Sequence, residues 1–151
     1  MNELSHETGF IVKFYDKAYE NLDLFELVEA PVAAISGVSE SDGEKLLKAF
    51  NIKTVGDFAE NKYISLAQAV TDFSECTGQI LDKEFQSDFA DLVDKPVYAI
   101  KGISEGDAVL LNEAFNVKTV RDLARNKYVS IAQTTVTLAS LVEIILEMEQ
   151  A

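Results

Sequence analysis

The stretch Pro31–Val70 recurs as Pro96–Thr135, and this duplication constrains the chain more than any other feature. PVAAISGVSESDGEKLLKAFNIKTVGDFAENKYISLAQAV returns as PVYAIKGISEGDAVLLNEAFNVKTVRDLARNKYVSIAQTT. The offset is constant at about 65 residues with no gap, and more than half of the aligned positions are identical. Self-similarity of that length means one supersecondary unit used twice.

Within the unit, Pro31 suits the first position of a short helix carrying Val32, Ala34 and Ile35, with Gly37 making the reversal that ends it. Ser39 followed by Asp42, and Ser104 followed by Asp107, read as capping boxes with an acid at the third helical position. The helix behind them carries Leu46, Leu47, Ala49 and Phe50, or Leu110, Leu111, Ala114 and Phe115. Asn51 and Asn116 suit its exit. Thr54 with Asp57, and Thr119 with Asp122, cap a further short helix. The triplet Asn-Lys-Tyr (Asn61–Tyr63, Asn126–Tyr128) is expected to end that helix, and Ser65 and Ser130 to cap a longer one. Tyr63 and Tyr128 are expected to pack these turns, although a tyrosine beside a lysine also suits base stacking.

Outside the copies, Phe10, Ile11, Phe14, Tyr15, Ala18 and Tyr19 fall on one broad helical face, and Asp23 offers a cap to a short helix ending before Pro31. Residues 1–8 carry no pattern and are expected to fray. Ile80, Leu81, Phe85, Phe89, Leu92 and Val93, interleaved with acids, make an amphipathic acidic helical connector. The last helix is apolar over most of its circumference. It is therefore either a central helix packed against both repeats or a homodimer seam through Leu138, Leu141, Val142 and Ile145. No stretch sustains an alternation of period two. The expected fold is all-α, with two pseudo-symmetric units sharing a core: N-terminal helices in 1–30, repeat 1 in 31–78, connector in 79–95, and repeat 2 with its long apolar helix in 96–151.

The net charge of −13 argues against a polyanion partner only until its distribution is read. The acidic excess lies in residues 1–30, 71–95 and 136–151. The first copy is nearly neutral and the second mildly basic, with Lys118, Arg121, Arg125 and Lys127 as a candidate basic patch. One cysteine, Cys76, precludes an internal disulfide and is expected to be a half-buried structural thiol. The N-terminus has no basic region or apolar run, and Val136–Met148 is interrupted by Ser140, Glu143 and Glu147. The expectation is a cytoplasmic protein with no membrane segment. The sole histidine, His6, has no partner at ligand spacing, and no phosphate loop, zinc pattern or calcium loop occurs. No catalytic residue, metal site or cofactor is expected.

Ile35–Ser36–Gly37–Val38–Ser39 and Ile100–Lys101–Gly102–Ile103–Ser104, each followed by its capped helix, resemble the helix-hairpin-helix family. The downstream Ile52–Ala59 and Val117–Ala124 segments are similar to those following such modules in DNA-repair and polymerase-associated domains. The resemblance covers about half the chain and implies paired hairpins that bind DNA without sequence preference, their N–H groups donating to phosphate. The candidate contacts it implies are Gly37, Val38 and Ser39, and Lys101, Gly102, Ile103 and Ser104. Ser39 and Ser104 stand where the family usually has a second glycine, and Glu40, Asp42, Glu105 and Asp107 occupy helix starts that a phosphate would use. The expected function is accordingly a non-enzymatic acidic helical adaptor or scaffold that binds protein. DNA binding, chiefly through repeat 2, is the alternative.

Overall fold

The computed structural model describes residues 9–150; of Phe10 and residues 87–89 only the backbone is described. His6 and the expected fraying of residues 1–8 lie outside the described residues. The fold is all-α. Its helices are α1 (Leu24–Glu29), α2 (Glu40–Phe50), α3 (Val55–Ala59), α4 (Lys62–Ile80), α5 (Lys83–Val93), α6 (Glu105–Phe115), α7 (Val120–Ala124) and α8 (Lys127–Gln150). Short 3₁₀ turns at Val32–Ala34 and Val97–Ala99 precede the two hairpins.

Local sequence explains most of the boundaries. Ser39 and Asp42 exchange backbone and side-chain hydrogen bonds at the start of α2 (3.0 and 3.2 Å), and Ser104 and Asp107 do so for α6 (3.0 and 3.3 Å). Thr54 with Asp57 opens α3, and Thr119 with Asp122 opens α7, in the same way. Asp23 and Glu26 form a further capping box at α1. Asn51 and Asn116 leave α2 and α6 in the left-handed conformation, φ 57° and 56°, which asparagine tolerates better than most residues.

Three expectations about where elements begin and end change. The Asn-Lys-Tyr triplet begins the long helix instead of ending the short one: Asn61 Oδ1 accepts from the Tyr63 and Ile64 N–H groups at 3.0 and 3.1 Å. Ser65 and Ser130 therefore lie inside the first turns of α4 and α8. Asparagine caps as well as serine does, and starting there commits one more turn to the helix. Pro31 and Pro96 are extended, not helical, because each forms an antiparallel bridge with a threonine, Thr54 or Thr119. The Phe10–Tyr19 helix is replaced by 3₁₀ turns at Gly9–Phe14 and Lys17–Tyr19. Between them Tyr15 bridges Ile35, drawing the backbone out of helical geometry to satisfy hydrogen bonds at the hairpin edge.

Two compact units divide the chain. The first comprises Met1–Gly43, Ile52–Ala59 and Lys127–Ala151. Here α8, from the second copy, packs against α3 and α1, which belong to and precede the first. Val32 N–H donates to Lys53 O, and Val55 N–H to Ala30 O, joining the hairpin entry to the α3 cap. Leu24, Leu27, Val32, Ile35, Val55, Phe58 and Ala132 form much of this core. The N-terminal segment closes it. Asp16 N–H donates to Ala34 O and Ser36 N–H to Phe14 O, both at 2.8 Å, while the buried Tyr15 hydroxyl meets Thr135 Oγ1 at 2.7 Å. Burial raises the Tyr15 pKa above its ordinary value, partly countered by the Thr135 hydrogen bond.

The second unit comprises Glu44–Asn51 and Glu60–Asn126, so the unit boundary falls within α2. Here α4, from the first copy, packs against α7 of the second and against α5. The backbone ties recur: Val97 N–H donates to Lys118 O, and Val120 N–H to Lys95 O. Ile64, Ala67, Val93, Val97, Leu111, Val117 and Leu123 are buried. In each unit the long helix of one copy thus rests on the capped short helix of the other.

The two long helices differ in what they leave uncovered. On α8, Val129, Ala132, Thr135 and Ala139 are buried, whereas Leu141, Ile144, Ile145 and Met148 are exposed. Among the described residues Val120–Gln150 is the one stretch long and apolar enough, by length and composition, to cross a membrane. On α4 the thiol of Cys76 is exposed, not half-buried, because Thr71 and Thr77 take the inward face of that part of the helix.

Candidate functional site

Each hairpin reverses at a glycine with positive φ, +95° at Gly37 and +102° at Gly102. Two of the three candidate donors in each hairpin are already engaged at the turn and the helix cap. Val38 N–H donates to Ile35 O at 3.0 Å and Ile103 N–H to Ile100 O at 3.1 Å. Ser39 and Ser104 N–H groups are held by the carboxylates of Asp42 and Asp107. Val38 and Ile103 side chains are buried in the cores. The glycine faces are closed as well. A Cβ on Gly37 would stand 2.7 Å from the Tyr128 hydroxyl, and one on Gly102 would stand 2.7 Å from that of Tyr63. Each hairpin therefore receives the tyrosine of the other copy. Sequence reasoning placed both tyrosines in packing roles but at the turns of their own copies.

Of the candidate basic residues, Lys118, Arg121 and Arg125 lie in the second unit and Lys127 in the first. Arg121 pairs with Asp94 at 2.9 Å, and Arg125 with Asp72 at 2.7 Å and Glu75 at 3.0 Å. The hydrogen bond to Asp72, then that to Glu75, raises the already high Arg125 pKa and holds its charge within the chain. Lys127 Nζ sits 5.1 Å from the centroid of the Tyr128 ring, a cation–π contact. Lys101, in the second hairpin, is exposed.

Lys101 also borders a feature that sequence reasoning missed. A cavity of about 190 Å³ opens in the second unit, lined by Leu66, Val70, Leu92, Ala99, Ile100, Lys101 and Val120. Its walls are apolar and Lys101 is the sole charged residue among them. A signal for it exists in the duplication: Val70 and Lys101 align with Thr135 and Ser36, two of the less conservative replacements between the copies. Among the described residues no group of three or more His, Cys, Asp or Glu side chains could hold a metal ion.

No family model, curated protein or solved structure matches this chain.

Proposed function

We propose that this chain is a non-catalytic helical adaptor whose pair of helix-hairpin-helix-like repeats serves as architecture for binding another protein. The observation that carries this reading is the closure of both hairpins. Their second and third N–H groups are bonded within the turn, and a tyrosine covers each glycine. A phosphate would have to displace a capping carboxylate from the positive end of α2 or α6, a position the carboxylate already stabilises. The pairing of Arg121 and Arg125 with acids lowers the cationic potential left for a polyanion.

Surface that favours protein partners is present. Leu141, Ile144, Ile145 and Met148 project from the last turns of α8, and a contiguous apolar strip of this kind is a feature of interaction surfaces. Self-association through Leu138, Leu141, Val142 and Ile145 belongs to the same reading.

The deciding experiment is titration of labelled duplex and single-stranded DNA at low and moderate salt. The adaptor reading expects no tight binding at either. Tight binding that weakens steeply with salt would transfer the function to the nucleic-acid alternative, beginning with Lys101 and the second hairpin.

A further inference from the structure

The two hairpin edges carry the same backbone geometry but different company. In the first unit the edge Ala34–Ile35–Ser36 is occupied by the segment Phe14–Asp16, where the chain leaves its first 3₁₀ turn and Tyr15 bridges Ile35. Two main-chain hydrogen bonds hold it, Asp16 N–H to Ala34 O and Ser36 N–H to Phe14 O, both 2.8 Å. Tyr15 is buried there with its hydroxyl on Thr135, and Ser36 Oγ donates to Asp16 Oδ1 at 3.1 Å. At the constant offset between copies, the corresponding edge in the second unit is Ala99–Ile100–Lys101, and Thr135 corresponds to Val70. Among the described residues no hydrogen bond reaches the Lys101 N–H or the Ala99 carbonyl.

Burial follows the same contrast. Ala34 and Leu27 are fully buried, whereas their counterparts Ala99 and Leu92 are exposed, Leu92 by 38%, and Leu66 by 49%. The 190 Å³ cavity is bounded by these residues. An apolar cavity of about 150 Å³ is large enough for a benzene ring, so this one accommodates an aromatic side chain.

We infer that the Ala99–Lys101 edge and its cavity are a docking site for an extended peptide from a protein partner, bearing an aromatic residue followed by an acidic one. The inference rests on the adaptor reading and names the partner's chemistry. The peptide adds one short strand-like rung through Lys101 N–H and Ala99 C=O, as the chain's own segment does through Ser36 and Ala34. Its aromatic side chain fills the cavity and buries Leu66 and Leu92. The replacements set specificity. Val70 offers no hydroxyl partner where Thr135 does, so phenylalanine is preferred to tyrosine, whose buried O–H would be left unsatisfied. Lys101 in place of Ser36 selects an acid at the next peptide position by charge, in a chain whose net charge otherwise repels acidic peptides.

The test uses the full chain and a labelled, terminally blocked peptide reproducing Val12–Lys17 with Phe at the place of Tyr15, read by fluorescence anisotropy. Saturable binding is expected. It should weaken at least about tenfold when the peptide aromatic is replaced by Ala, when its acid is replaced by Lys, or in Lys101→Glu protein. Lys53→Glu, an equal charge change at an exposed site in the other copy, should leave it within about twofold. Leu66→Trp, which fills the cavity, should abolish binding in protein whose circular dichroism is unchanged. Absence of saturable binding, equal binding of the Ala peptide, or equal loss in Lys53→Glu overturns the inference. So does competition by the protein's own concentration-dependent dimerisation, which would assign the edge to a second copy. The adaptor reading fails separately: it falls if duplex DNA binds with a steep salt dependence, whatever the peptide does.

Discussion

The Tyr128 hydroxyl occupies the space that a Cβ on Gly37 would require, 2.7 Å away, although the two residues belong to different copies of the repeat. Tyr63 stands in the same relation to Gly102. Each hairpin glycine thus meets two requirements, a positive φ and the absence of a Cβ where the tyrosine packs. Gly37→Ala should cost about 2 kcal/mol, from left-handed strain and displacement of the ring. Its pairing can be read from double mutants in urea titrations. Gly37→Ala with Tyr128→Ala should be less damaging than the sum of the single changes by at least about 0.5 kcal/mol. Gly37→Ala with Tyr63→Ala should be additive. The reverse pattern would show that each tyrosine serves its own copy.

The tyrosines themselves are structural. Tyr63 also places its ring 5.1 Å from that of Phe50, a tilted aromatic pair. Tyr63→Ala and Tyr128→Ala should each lower stability by about 1–3 kcal/mol and so reduce Tm by several degrees. A variant with unchanged Tm and a lost binding activity would show that its tyrosine faces a ligand.

Alkaline stability should report the docking of the N-terminal segment. Burial raises the folded-state pKa of Tyr15 above its ordinary 10.0. Above that pH the unfolded chain releases this proton more readily than the native one, so the contribution is fully present below pH 10 and is lost as pH rises through the folded value. Tyr15→Phe should cost about 1 kcal/mol at neutral pH through the lost Thr135 hydrogen bond. The gap between variant and wild type in urea midpoint should then hold up to about pH 10 and narrow as pH rises above it. A constant gap would count against a buried, protonated Tyr15.

Thr71 is fully buried on α4, and among the described residues its hydroxyl has no hydrogen-bond partner. The aligned residue of the other copy is Val136. Thr71→Val should therefore raise stability, by about 1 kcal/mol, since it removes an unsatisfied polar group at little change in volume. A destabilised variant would mean that the hydroxyl is satisfied in solution.

The exposed strip on α8 should reveal itself by size. Sedimentation of the wild-type chain should show a species larger than the monomer, and Leu141→Asp or Ile145→Asp should return it to monomer with little change in Tm, because both side chains are exposed. A wild-type monomer at high concentration would dispose of self-association through this strip.

Much of the local structure was legible. The four Ser/Thr–Asp capping pairs and the asparagine exits of α2 and α6 stand where the sequence places them, because capping involves residues three apart and is decided locally. The Phe10–Tyr19 periodicity misled for the opposite reason. Its apolar face is consistent with a helix, but the free edge at Ala34 and Ser36 offered the backbone hydrogen bonds to a distant segment. The cavity beside Lys101 was illegible from any one copy. It appears only where the chain fills one hairpin edge with Tyr15 and, among the described residues, supplies no such segment to the other.

By itself the sequence determined a duplicated all-α unit, its caps, and a glycine turn in each hairpin. It could not determine which tyrosine meets which glycine. The two Asn-Lys-Tyr triplets are identical, the two turns nearly so, and the same contacts would be satisfied within a copy or between copies. Tertiary structure made that choice by resting α8 on α3 and α4 on α7. The physical reason is that a tyrosine in the first turn of a long helix must follow the packing of the whole helix, and that packing is decided by buried faces far apart in the chain.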